Sequence, residues 1–155
     1  MKINIDITYT QSGTNYYNQL TKRINSIEVN EDFTTEITIV KDINLYNVLL
    51  IIHSQGINND PQVKQDIINA LGENNLKGVI YLIPEEEEPV QIMDKPPIIR
   101  RNQKNNVFDK SDYIFQVNFN DFLSDPTYHL NMALDKRQEC IDDEAYDLVT
   151  NLEEE

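Results

Sequence analysis

The sequence predicts an α/β protein, a three-layer open sheet of about five largely parallel strands with helices on both faces. Three observations predict it. Residues 3–9, Ile-Asn-Ile-Asp-Ile-Thr-Tyr, alternate strictly between apolar and polar, the pattern of a strand with one buried face. The segments 47–53 and 78–83 carry continuous apolar runs, Val-Leu-Leu-Ile-Ile and Val-Ile-Tyr-Leu-Ile, as in strands covered on both sides. Stretches with apolar residues at helical spacing lie between strand-like segments, the order that builds a parallel sheet.

In chain order, Ile3, Ile5, Ile7 and Tyr9 share one face of the first strand. A polar turn follows, Thr10-Gln11-Ser12-Gly13-Thr14-Asn15. Tyr17, Leu20, Ile24 and Ile27 then predict a helix over 14–27. Residues 36–40 and 47–53 read as the next two strands. The link between them is short for a crossover, so a hairpin stays open as an alternative to parallel pairing. Residues 54–60 are polar loop. Asp60-Pro61 opens a helix, with a capping carboxylate and proline at the first helical position. Val63, Ile67, Ile68 and Leu71 form its apolar stripe, and Gly72 is placed to end it. Pro84 stops the strand at 78–83. Residues 85–112 hold three of the six prolines and the run Glu85–Glu88, and predict a long loop. Residues 113–119 alternate again as a strand. Asp125-Pro126 opens a C-terminal helical region with Leu130, Leu134, Ile141, Ala145, Leu148 and Leu152. The whole reads as a single domain over 1–155, ending in an acidic helical region at 127–155.

Charge narrows the functional classes. The chain has 155 residues, 13 Lys+Arg against 27 Asp+Glu, and a net charge of −14. Residues 135–155 hold nine acids against Lys136 and Arg137, which is −7, half of the total. Direct nucleic-acid binding is not expected, because it needs clustered cations. The only basic cluster is Arg100, Arg101 and Lys104. No apolar run approaches the ~20 residues of a membrane span. Met1–Asp6 lacks a signal peptide's apolar segment, so a cytoplasmic location is expected. The single Cys140 excludes an intrachain disulfide and a multi-cysteine zinc site.

Candidate chemistry is sparse. Thr10–Asn15 brings three hydroxyls and backbone N–H groups to a helix start, which can be an anion site or a set of ordinary helix caps. His53 follows a buried strand, where a general base could sit, but no nucleophile accompanies it. His129 falls in the C-terminal helix and reads as a surface residue. Consecutive carboxylates at Glu85–Glu88 do not converge on a cation. Glu139 and Asp142 flank Cys140 and oppose its ionisation. No catalytic residue and no metal-ligand set is expected.

The segment Tyr9–Asn15, placed directly after the first strand and before the first helix, resembles the phosphate loop of the flavodoxin-like superfamily. Residues 47–84 resemble the same family: a buried strand, a polar loop, a helix from about Pro61 and another buried strand. The resemblance implies FMN as a possible cofactor, with Thr10, Ser12, Thr14 and Asn15 at its phosphate. TIR domains are neighbours of similar layout; an NAD-cleaving member needs a Glu early in the helix, where this chain has Gln62, Lys64, Gln65 and Asp66. A thioredoxin-like layout would need paired Cys or Sec at the first turn, which offers Thr10 and Ser12.

The functional expectation is an acidic, non-catalytic protein-binding module: a regulator, inhibitor or adaptor. Its partner would carry a basic surface and meet Glu139, Asp142, Asp143 and Glu144 on the solvent face of the C-terminal helix. The alternatives are a flavodoxin-like electron carrier binding FMN or another nucleotide, and a TIR-like scaffold domain.

Overall fold

Five strands form one sheet in the order β2-β1-β3-β4-β5, and every neighbouring pair is parallel. The computed structural model describes residues 2–27, 36–72, 76–84 and 113–153, with the side chains of the last segment followed through Asp143. The strands are β1 (Lys2–Thr8), β2 (Glu36–Ile39), β3 (Val48–Ile52), β4 (Gly78–Ile83) and β5 (Phe115–Asn118). The helices are α1 (Thr14–Asn25), α2 (Pro61–Ala70), α3 (Phe119–Ser124) and α4 (Pro126–Glu153). The predicted α/β class is the observed one, and sheet and helices are compatible with a flavodoxin-like arrangement. The expected loop at 85–112 lies outside the described residues. Among the described residues, no helix is long and apolar enough to cross a membrane.

Strands β2 and β3 are not a hairpin. They lie on opposite sides of β1 and both run parallel to it. The short link between them is possible because of register. The last residue of β2, Ile39, and the first of β3, Val48, both pair with Ile5. The link therefore steps sideways across one strand, about 10 Å at ~4.8 Å per strand spacing, with no strand length to climb back. Val40 N–H donates to the Ile5 carbonyl and Asn47 N–H to the Asn4 carbonyl, both at 2.7 Å, which pins the two ends of the link.

One face of the sheet buries Ile3, Ile5, Ile7, Val48, Leu50, Ile52, Ile80, Leu82 and Val117 under α1, α3 and α4. The other buries Leu49, Ile51, Val79 and Tyr81 under α2 and Tyr46 of the link. Strands β3 and β4 contribute to both clusters, hence their unbroken apolar runs. On the second face β1 presents Asn4, Asp6 and Thr8, which accounts for its alternation.

The α2 start is as predicted: Asp60 Oδ1 accepts from Gln62 N–H at 2.9 Å and from Val63 N–H at 3.0 Å, with proline next in the chain. Two elements differ from expectation. The first helix is preceded by a single 3₁₀ turn at Gln11–Gly13 and ends at Asn25. The last strand stops at Asn118, whose side chain accepts from Asn120 N–H and Asp121 N–H and so starts α3, with Phe119 and Phe122 buried.

Helix α4 has 28 residues, about 42 Å at ~1.5 Å per residue. That is about twice the ~20 Å of a six-residue strand such as β4. Ala133 already abuts Gly78, the first residue of β4; a Cβ added at Gly78 would lie 3.1 Å from the Ala133 carbonyl oxygen. One turn later Arg137 Nε donates to the Leu76 carbonyl at 2.6 Å, just before β4 begins. The helix then runs sixteen residues further, Gln138–Glu153, about 24 Å, with Cys140 still fully buried and Ile141 half-buried. Among the described side chains of α4, Leu130, Ala133 and Cys140 are fully buried, with Leu134 and Ile141 half-buried beside them. Of the apolar positions expected on this helix, Leu130 is in the core and Leu134 packs against it, while the side chains of Ala145, Leu148 and Leu152 lie outside the described residues.

Candidate site at the ends of β1 and β3

The chain leaves β1 toward β2 on one side, then returns to β3 on the other. Such a reversal of strand order opens a crevice beyond the carboxyl ends of the two strands. Here that crevice has a volume of about 400 Å³ and is lined by Thr10, Gln11, Ser12, Gln55, Gly56, Asn59, Asp60 and Pro61.

Its floor is a hydroxyl lattice joining the two loops. Thr10 Oγ1 lies 2.8 Å from both Ser54 Oγ and the Gln55 carbonyl, and Thr10 N–H donates to Ser54 Oγ at 3.1 Å. Ser54 Oγ donates to the Ile52 carbonyl at 3.2 Å, and Ser12 Oγ accepts from Gln55 N–H at 2.8 Å. Ser12 and Thr10 hydroxyls are 3.3 Å apart. The loops approach so closely that a Cβ at Gly13 would lie 3.2 Å from Ser54 Cβ. Gly56 holds the left-handed φ of +78° in the second loop. Thr10 and Ser54 are buried, and all their hydroxyl groups are occupied within this lattice.

Of the four residues expected at a phosphate, Thr10 and Ser12 line the crevice and Thr14 and Asn15 do not. Thr14 Oγ1 donates back to the Gln11 carbonyl at 2.7 Å, and Asn15 is exposed on the first turn of α1. The N–H groups of Gly13 and Thr14 are used by the 3₁₀ turn, on the carbonyls of Thr10 and Gln11. A flavin phosphate needs such hydroxyls and amides open, and its ring system needs an aromatic wall. Among the described residues the lining holds no Lys, Arg or aromatic residue, and Asp60 adds a negative charge. The described residues of this crevice do not fit FMN. No family model, curated protein or solved structure matched this chain.

The four acids expected to meet a partner lie at the opposite edge of the sheet. Glu139, Asp142 and Asp143 are exposed on α4, as anticipated; the side chain of Glu144 lies outside the described residues. Asp142 accepts from Gln138 Nε2 at 3.1 Å, and Tyr113 OH donates to Asp143.

The sequence reading passed over a polar group on the second sheet face. Asp6 and Thr8 are buried there. Thr8 Oγ1 donates to Asp66 Oδ2 at 2.7 Å, Gln62 Nε2 to Asp66 Oδ1 at 3.0 Å, and Ile7 N–H to Asp6 Oδ1 at 2.8 Å. Burial lifts the Asp6 carboxyl to about 6, against the Ile7 N–H bond, with the Asp66 charge adding to the rise and Lys41 opposing it. Burial, then the charges of Asp6 and Asp66, pushes the Tyr46 phenol up as well. The hint in the sequence was the polar side of an otherwise buried strand.

The two histidines are set in different surroundings. His53 Nδ1 is 2.5 Å from Tyr81 OH, across the ends of β3 and β4. His129, expected at the surface, is half-buried among the rings of Phe115, Phe122 and Tyr128. It sits there because Asp125-Pro126 starts α4 directly over β5 and α3.

Proposed function

We propose that this chain is a non-catalytic acidic module that binds a protein with a basic surface through the distal part of α4. One observation carries the reading: α4 runs on for sixteen residues past Arg137, which bonds the Leu76 carbonyl just before β4, and Glu139, Asp142 and Asp143 are exposed on it. Residues 135–155 carry half the net charge of the chain, which matches a cationic surface and opposes a nucleic acid. Charge of this density steers association more than it holds the finished complex. It also predicts sensitivity to salt, since the Debye length falls from ~10 Å at 0.1 M to ~3 Å at 1 M.

The test compares the native chain with the triple variant Asp142→Lys, Asp143→Lys, Glu144→Lys. A protein captured from cell extract by the native chain is purified, and its association rate with both chains is measured at low and high salt. The expected result is association slowed about tenfold or more by charge reversal at low salt, with the difference closing at high salt. Equal rates for the two chains at low salt would overturn the reading.

A further inference from the structure

We infer that the crevice between the 10–12 and 55–61 loops binds a neutral, hydroxyl-rich small molecule: a free monosaccharide, not a phosphate or a nucleotide. The inference uses residues at the opposite edge of the sheet from the α4 acids, so each can fail without the other. It starts from which polar groups the fold has already used. The hydroxyls of Thr10, Ser12 and Ser54 are bound to one another and to the Ile52 and Gln55 backbone. They make a fixed floor and have little left for a ligand.

The walls are different. Gln11, Gln55 and Asn59 line the crevice with side-chain amides that have no hydrogen-bond partner among the described residues. Asp60 caps α2 through Oδ1 alone, which leaves Oδ2 to accept from a ligand. Three amides, each with donor and acceptor ends, and one carboxylate oxygen suit vicinal hydroxyl groups, which both donate and accept. The same set disfavours an anion, because the only charge among the described lining residues is that of Asp60, which is negative. With no aromatic ring among the described lining residues, nothing there offers to stack on a nucleobase. The volume, about 400 Å³, is at the small end of the ~300–1,000 Å³ range of small-molecule sites, which suits a single sugar ring. The floor is preformed, held by the loop-to-loop bonds and by the close approach of Gly13 to Ser54, so a ligand need not order it.

The test is a titration of ¹⁵N-labelled full chain followed by NMR, with D-ribose, D-glucose and inorganic phosphate as separate probes. Side-chain amide signals of Gln11, Gln55 and Asn59 should shift saturably with at least one sugar and stay still with phosphate. Asp60→Asn retains a competent helix cap but replaces a carboxylate acceptor, and should weaken sugar binding about fivefold or more. Unchanged signals from β3 and β4 confirm that this variant is folded. The inference is overturned if neither sugar produces saturable shifts up to ~100 mM, well above millimolar affinity. It is also overturned if phosphate moves the same amides, or if Asp60→Asn binds sugar as well as the native chain.

Discussion

Replacing Asp6 by Asn should stabilise the protein at neutral pH. Asp6 is only 9% exposed and faces Asp66 from α2, with Tyr46 and Lys41 contributed by the link over β1. Its carboxyl is raised from 3.8 to about 6, so the folded state holds this proton more tightly than the unfolded chain does. As pH rises from about 4 to above 6, the unfolded chain ionises first and stability declines. The rise corresponds to about 3 kcal/mol, at ~1.4 kcal/mol per tenfold. Water at the remaining exposed part of the group screens some of this, so the expected gain is about 1–3 kcal/mol. An amide oxygen can still accept from Ile7 N–H, and the new NH₂ group meets the Asp66 carboxylate favourably. Urea unfolding of both proteins at pH 7.5 and pH 4 measures the effect. The variant should be more stable at pH 7.5, and the difference should nearly vanish at pH 4. For a chain of this size ~1–3 kcal/mol raises the melting temperature by about 3–10 °C. Destabilisation at pH 7.5, or an equal gain at both pH values, would refute the assignment of a buried, proton-holding carboxyl.

Gly13→Ala should destabilise by about 1–3 kcal/mol, because its Cβ meets Ser54 Cβ at 3.2 Å and must displace the Thr10–Ser54 contact; equilibrium unfolding reads this directly. Asp60→Ala should cost about 1 kcal/mol by removing both N–H bonds at the start of α2, whereas Asp60→Asn should be near neutral in the same assay. Phe122→Ala, at a fully buried ring between α3 and the sheet, should cost about 3–5 kcal/mol, measured as a fall in the urea midpoint.

Much of the fold was legible because local chemistry sets it. Alternation at 3–9, the apolar runs within 47–53 and 78–83, and Asp60-Pro61 act over a few residues, and the structure places β1, β3, β4 and α2 within a residue or two of those segments. α3 escaped notice because Asn118 ends a strand and caps a helix at once, and six residues carry too little periodicity to announce themselves. The loop holding Thr10 and Ser12 was legible as a loop beside a helix. The state of its hydroxyls was not, since their partners, Ser54 and Gln55, lie more than forty residues away.

What the sequence alone determined, then, is the class of the protein, the kind and order of its main elements, and an acidic C-terminal helix. Each depends on spacing, capping and charge along the chain. The tertiary structure decided the rest, because it depends on which distant residues meet. The shared pairing of Ile39 and Val48 with Ile5 makes a short link serve a parallel sheet. The meeting of Thr8 with Asp66 across fifty-eight residues helps enclose Asp6, whose carboxyl then keeps its proton to about pH 6. The length of α4 was visible in its residues, but only its passage over β4, with Ala133 against Gly78, decides which of its positions are buried and leaves Glu139, Asp142 and Asp143 exposed. Register and crossing point are settled by packing between segments, and packing has no local signature.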